Sequence, residues 1–187
     1  MAKATEHAIK SAFMELLQKK FLDDITVKEL IEKAYINRNT FYYHYENIYD
    51  LLYKIFKEEA EKFQSEMSEN STFYDEYRRA ASIFLENRLA VIHICHSKNR
   101  DVLNSYMERA AESLVGTFVR KASAGTGISE EGISYIIHFY SYAIVGNTMH
   151  WIENGMPEYL SDLLLKISQS FEATVDVMIK DYLEHYK

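Results

Sequence analysis

Residues 26–45, TVKELIEKAYINRNTFYYHY, contain two short helical patterns separated by a tight turn. Thr26 and Glu29 have the spacing of a capping box, which predicts that a helix begins at Val27. Apolar residues then recur at helical spacing and mark one buried face: Val27, Leu30, Ile31 and Ala34. This part of the chain is therefore constrained to a small helical domain.

The second helical pattern begins after Asn37, a favourable N-cap. Phe41 and Tyr45, four residues apart, can anchor this helix to the domain. Its other face carries hydrogen-bonding side chains, namely Arg38, Asn39, Thr40, Tyr42, Tyr43 and His44. One interpretation is an ordinary amphipathic helix pair in a bundle. The polar face favours the other, a helix-turn-helix, in which the second helix enters the major groove of DNA.

Over about residues 5–56 the chain resembles the DNA-binding domain of the TetR family of transcriptional regulators. The family pattern is a turn of small residue-Gly-hydrophobic-Ser, then x-Gly-Thr-hydrophobic-Tyr-x-His-Phe, then Asn-Lys-acid-acid-Leu-Leu. The corresponding stretch here is AYINRNTFYYHYENIYDLL, residues 34–52. Tyr35 and Asn39 replace the two Gly, and Ile48 replaces a Lys that commonly contacts phosphate. A left-handed Tyr35 would cost about 1 kcal/mol or more, so we expect a turn of different shape.

The resemblance implies a cytoplasmic, homodimeric repressor that binds a near-palindromic DNA operator. In this interpretation Arg38 reads a guanine and Asn39 an adenine, while other side chains hold the sugar-phosphate backbone. The predicted DNA-contacting residues are Thr26, Lys28, Asn37, Arg38, Asn39, Thr40, Tyr42, Tyr43 and His44.

Composition agrees with an all-α fold, because one Pro and six Gly in 187 residues suit long helices better than sandwiches or barrels. We predict a three-helix helix-turn-helix domain at residues 1–47 and a helical effector-binding and dimerisation domain at 48–187, with 48–70 as a connecting helix. The single Cys95 excludes an intrachain disulfide framework and fits a reducing cytoplasm. The N-terminal residues show no signal-sequence pattern.

Further helix limits follow from caps and breaks. The predicted helices cover about 6–20, a fourth helix capped by Asn47, 72–96, 99–122, 129–155 and a last helix with Pro157 in its first turn.

The net charge of −7 argues at first against binding to DNA. Residues 1–45, however, hold seven Lys and Arg against six Asp and Glu, and the acidity belongs to the rest of the chain, with 14 against 22. We expect modest nonspecific affinity for DNA.

Residues 132–152, GISYIIHFYSYAIVGNTMHWI, contain no charged side chain. A membrane span is the alternative, but the polar residues in the run and the lack of basic flanks disfavour it. A helix that is apolar all round is otherwise buried all round, which in a small domain requires a partner chain. The resemblance implies a homodimer through the last two helices, with candidate interface residues Ile144, Trp151, Leu164, Ile167, Phe171, Val175 and Met178.

The resemblance also implies a small-molecule effector pocket. Candidates on helix faces expected to point inward are His93, His96, Tyr106, Tyr142, Asn147, Met149 and Trp151, although the same residues can simply fill a core.

Other chemistry has little support. His93, Cys95 and His96 are close in sequence, but Cys95 lies on another helix face and no further Cys exists, so no metal site is predicted. No nucleophile-base pair or phosphate-binding loop is visible, so we expect neither catalysis nor a cofactor. Two rivals remain: a co-activator or protein-binding adaptor of the same fold, and a helical ligand-binding or catalytic protein with an incidental helix-turn-helix.

Overall fold

The computed structural model describes residues 2–68, 70–157 and 160–186. Every regular element in this part of the chain is a helix, which confirms the all-α prediction. The helices are α1 Ala2–Leu17, α2 Val27–Lys33, α3 Arg38–His44, α4 Ile48–Ser65, α5 Phe73–Glu86, α6 Arg88–Cys95, α7 Asp101–Ser123, α8 Glu130–Glu153 and α9 Leu160–His185, with a 3-10 turn at Leu22–Asp24.

Most limits lie close to the predicted ones, but two predictions were wrong. The helix expected to run from 72 to 96 is two helices, because Asn87 leaves helical geometry at φ −109° and ψ 26°. Pro157 precedes α9 and lies outside it; its carbonyl accepts the indole N–H of Trp151 at 3.0 Å. The predicted cap at Ser129 is confirmed, since its hydroxyl accepts the N–H of Gly132 at 3.2 Å.

The chain forms two compact units: residues 1–62 with 84–106, and 63–83 with 107–187. The first unit thus takes in α6, which packs against α1, although the sequence assigned that stretch to the second domain. The predicted domain boundary between residues 47 and 48 stays a prediction.

In the first unit, α1 packs against α2 and α6, and α3 packs against α2. Many of the fully buried side chains of this core come from α1, α2, α3 and α4, among them Ile9, Phe13, Leu17, Leu30, Phe41, Leu51 and Leu52. Burial of each such side chain is worth about 1.5–3 kcal/mol, so these contacts fix α3 on the rest of the unit.

In the second unit, α8 and α9 run antiparallel, since Gly132 lies beside Tyr182 and the Tyr140 hydroxyl lies 2.7 Å from the Thr174 hydroxyl. Phe73 of α5 stacks on Phe171 of α9, with ring centroids 4.2 Å apart. Gly132 permits the close approach of Tyr182, because a Cβ on Gly132 would lie 2.5 Å from the Tyr182 ring.

Candidate nucleic-acid interface

Two local caps fix where α2 and α3 begin. Thr26 Oγ1 accepts the N–H of Glu29 at 3.2 Å, and the Glu29 carboxylate accepts the N–H of Thr26 at 3.2 Å. Hydrogen bonds from Lys20 and then Thr26 lower the pKa of the Glu29 carboxyl, so this cap keeps its charge in mildly acidic solution. Asn37 Oδ1 accepts the N–H of Thr40 at 2.8 Å. Both predicted caps are confirmed.

The turn between α2 and α3 keeps a left-handed residue in spite of its side chain. Tyr35 has φ 54° and is 95% exposed. The N–H of Ile36 donates to the Ile31 carbonyl at 3.1 Å and closes the turn, as in a Schellman motif. The expectation of a differently shaped turn was therefore wrong. The Tyr35 ring lies in solvent, so the strain is confined to the backbone.

α3 presents a polar and aromatic face to solvent. Arg38 and Asn39 are exposed at its beginning, and Tyr42 and Tyr43 are 47% and 82% exposed. The Arg38 guanidinium carbon lies 5.7 Å from the centroid of the Tyr42 ring, within the range of a cation–π contact. Thr26, Lys28 and Asn37 are exposed as well. These seven residues are exposed to solvent, and the side chains of Thr26 and Asn37 also serve as helix caps.

The two other residues of the predicted contact set, Thr40 and His44, are less exposed. The hydroxyl of half-buried Thr40 donates to Asn37 Oδ1 at 3.0 Å. The side chain of His44 is only 8% exposed, and its Nδ1 lies 3.2 Å from Glu6 Oε1 of α1. The expectation that His44 is part of the polar surface of α3 was wrong, because α1 holds its ring. Ile48 is buried, which explains an apolar residue in place of Lys.

Lys54 was not predicted as part of this site. Its ammonium donates to the His44 carbonyl at 2.9 Å and to the Asp50 carboxylate at 3.0 Å, and lies 5.0 Å from the Tyr45 ring centroid. Burial raises the pKa of Tyr45 to about 12, with the carboxylate of Glu6 next in effect. Glu6 and His44 are 38 residues apart, so no local pattern links them.

The candidate pocket residues of the first unit have separate environments. The Nδ1–H of His93 donates to the Leu17 carbonyl at 2.6 Å, and the ring meets Phe21 edge-on. His96 is exposed and donates to its own helix, at the Ile92 carbonyl. Tyr106 is buried, and its ring stacks on another aromatic side chain of the same unit.

In the second unit, Trp151 is buried and Met149 is half-buried. Tyr142 is 62% exposed, and the amide of exposed Asn147 donates to the Ala143 carbonyl at 2.7 Å. The expectation of inward-facing side chains was therefore wrong for Tyr142, Asn147 and His96. For α8 the reason is that the helix buries one face only, whereas the uncharged sequence suggested burial all round.

Most of the candidate dimer residues are buried within a single chain. Five of them are at most 7% exposed, namely Ile144, Trp151, Leu164, Phe171 and Val175. Such side chains can bury little further area against a second chain. Ile167 and Met178 are half-buried and retain exposed surface. Hydrophobic periodicity cannot separate burial within a chain from burial between chains.

None of the described helices is long and apolar enough to cross a bilayer. The family model TetR_C_8, the C-terminal region of transcriptional regulators, matches residues 71–173, which is more than half of the chain. The chain belongs to the TetR family of transcriptional regulators. The TetR match covers the divergent C-terminal part, whereas the resemblance in sequence lay in the N-terminal part.

Solved structures share the fold of this chain. The structure of the dihydroxyacetone kinase operon activator DhaS matches with a TM-score of 0.75 and 22% identity, over 92% of this chain and 97% of that one. A γ-butyrolactone receptor, an ArpA-like protein, matches with a TM-score of 0.50 and 12% identity, over 96% and 98%. At these identities the likeness shows the fold alone. A comparison with curated protein sequences gave no match.

Proposed function

We propose that this protein is a DNA-binding transcriptional regulator that acts as a homodimer on a near-palindromic operator, with α3 as its recognition helix. The observation that carries the proposal is the exposed face of α3. Arg38, Asn39, Tyr42 and Tyr43 point to solvent from a helix that Phe41 anchors. Arg38 and Asn39, at the beginning of α3, have the side chains that read guanine and adenine edges bidentately. Tyr42, Tyr43, Thr26 and Lys28 suit contacts to sugar and phosphate.

The charged side chains of the first unit predict a modest electrostatic contribution to DNA affinity. Lys20, Lys33 and Lys54 each form an ion pair within the chain. Lys28 and Arg38 form no ion pair in the part of the chain that the structure describes. Lys28 is the one of these two that is assigned to phosphate, which makes two such contacts in a dimer, so the logarithm of operator affinity should fall against the logarithm of salt with a slope of about −2.

For the dimer, the exposed face of α8 is a better surface than the residues inferred from sequence. This face, the α8 stripe, contains no Asp, Glu, Lys or Arg. It consists of Ser134, Tyr135, His138, Phe139, Tyr142, Ala143, Gly146, Asn147 and His150. Large aromatic side chains exposed along one helix are typical of an interface. Exposed Val177 and half-buried Met178 extend apolar surface along α9. A twofold dimer would present two α3 helices to successive major grooves.

Two buried hydroxyls support a ligand-responsive second unit. Ser141 of α8 and Ser168 of α9 are 2% and 1% exposed, and neither Oγ has a hydrogen-bond partner among the described residues. Such groups commonly bind a ligand or an ordered water. The hydroxyls of Tyr77 and Thr148, 3.1 Å apart, add a buried polar pair in the same unit. An effector bound in this unit would shift operator affinity by about 1–3 kcal/mol, a typical coupling.

The proposal is tested by selecting bound sequences from a random duplex pool with the full-length protein near physiological salt. We expect a near-palindrome whose half-sites are about 10 base pairs apart or a multiple of that. Recovery of no consensus by a folded dimer would contradict operator binding.

The second candidate is action through another regulatory protein. Tyr35, almost wholly exposed in the α2–α3 turn, and the apolar Ile48 depart from the DNA-contacting pattern of the family. The structurally similar DhaS is named an operon activator. This alternative therefore includes activation of transcription as well as repression. A partner protein that binds without any operator present, and loses affinity in Tyr35→Ala, would favour it.

A further inference from the structure

The C-terminal end of α3 is tied to two other helices by polar contacts. His44 is the last residue of α3, and its imidazole lies against Glu6 of α1, with Nδ1 3.2 Å from Oε1. Its backbone carbonyl accepts a hydrogen bond from Lys54 of α4 at 2.9 Å. A carboxylate can only accept, so the Nδ1 of His44 donates its proton to Glu6.

These ties matter because α3 is a short helix with little buried surface of its own. The helix has seven residues, and Phe41 is its one fully buried side chain. A helix of two turns is marginal without tertiary contacts. The cap at its beginning, Asn37 to Thr40, is internal to the segment and sets no angle against α1. The orientation of α3 therefore depends on Phe41, on its packing against α2 and on its C-terminal end.

Two of the carboxylates around this end have lysine partners. Glu58 pairs with Lys10, and Asp50 pairs with Lys54. The ion-pair contact of Glu6 is with His44. The imidazole N–H is thus the hydrogen-bond donor that faces the Glu6 carboxylate.

His44 also supports a neighbouring side chain of the recognition face. The Tyr43 ring packs edge-on against the imidazole, with centroids 5.0 Å apart, and remains 82% exposed. The imidazole also lies beside the buried ring of Tyr45. Fixing a contact side chain before binding reduces the entropy lost on association.

We propose that His44 is a positioning residue: through Glu6 it fixes α3 on α1 and holds Tyr43 outward, and it does not itself contact DNA. This inference rests on the proposed DNA binding by α3. It also assigns a role to Glu6, a carboxylate that no sequence pattern connects with DNA.

The test uses the operator selected by the wild-type protein and the variant Glu6→Ala. Removing a negative charge from a DNA-binding unit ordinarily strengthens DNA binding. The proposal instead predicts affinity weaker by about tenfold, the effect of one hydrogen bond to a charged group. Glu32→Ala is the matched control, because Glu32 is an exposed glutamate on α2. That control should bind at least as tightly as the wild type.

Variants of His44 separate positioning from direct contact. His44→Ala should weaken operator binding to the same extent as Glu6→Ala and leave the salt slope unchanged. Loss of a phosphate contact would instead reduce the slope by about one per protomer. His44→Asn places an amide N–H where Nδ1 lies and should restore most of the affinity. If His44→Ala does not fold, Glu6→Ala and His44→Asn still decide the question.

Hydrogen exchange gives a readout that needs no DNA. The amides of α3 from Phe41 to His44 should exchange faster in Glu6→Ala than in the wild type, because this end of the helix opens more often. If the wild type selects no sequence, the proposed function fails, and equal exchange would overturn the positioning role separately. If the wild type selects an operator that Glu6→Ala binds equally well, the positioning role alone is overturned.

Discussion

At the residue scale, α3 is supported by caps between neighbouring residues and by a contact between residues far apart in the sequence. The caps at Thr26 and Asn37 join residues three apart, so spacing alone reveals them. The contact between His44 and Glu6 depends on how α1 crosses α3, which no short-range pattern encodes. The polar face of α3 was largely predicted from the sequence, but the engagement of His44 was not.

Tyr35 holds a backbone conformation that suits glycine, with φ 54°. Tyr35→Gly should be more stable than Tyr35→Ala by about 1 kcal/mol, because both remove the exposed ring and only Gly relieves the left-handed strain. Chemical denaturation of the two variants measures the difference. Equal stabilities would show that the turn carries no strain at this residue.

Tyr45 and Tyr106 should make the stability of the fold depend on pH in alkaline solution. Burial raises the pKa of each phenol to about 12, from an ordinary 10. The folded state then holds these protons more tightly than the unfolded state, so their contribution is complete below pH 10 and is lost as pH rises towards about 12. Tyr45→Phe and Tyr106→Phe should each lose less stability than the wild type across that window. A parallel decline in all three, measured by denaturation at each pH, would contradict the assignment.

At the element scale, the existence of the helices was predictable, whereas their breaks and exposed faces were less so. Asn87 interrupts a stretch whose apolar periodicity continues on both sides, so α5 and α6 were predicted as one helix. The lack of charge in α8 indicated burial on every side, yet its polar and aromatic residues line an exposed stripe. The absence of charged residues from a helix therefore does not show whether its own chain or a second chain covers each face.

Replacement of two helical glycines of the second unit by alanine should have different effects on the stability of the fold. A Cβ on Gly132 would lie 2.5 Å from Tyr182 and 2.8 Å from Ile128, whereas a Cβ on Gly116 would lie 3.6 Å from Ile137. Gly132→Ala should destabilise the fold by about 1–3 kcal/mol through overpacking. Gly116→Ala should be neutral or stabilise it by up to about 1 kcal/mol through helix propensity. Thermal unfolding of both variants measures this, and equal shifts would contradict close packing at Gly132.

At the scale of the whole molecule, the match of a family model shows membership of the TetR family. The homodimer is a proposal. Ala143 lies in the middle of the α8 stripe. Ala143→Glu should convert the dimer into monomers, because a second chain would bury the new charge without a partner. Ala4→Glu, an exposed position on α1, should leave the dimer intact. Sedimentation equilibrium gives the mass of each variant, and a dimeric Ala143→Glu would place the interface elsewhere.

The central claim, that α3 reads operator bases, is tested most directly by the affinity of the wild type and Arg38→Ala for every single-base variant of the selected operator. We expect Arg38→Ala to lose about 1–3 kcal/mol and to lose preference at one G·C pair in each half-site, with other positions unchanged. Lys28→Ala, as the control, should weaken all variants equally. An equal loss on every sequence for Arg38→Ala would contradict base reading by α3.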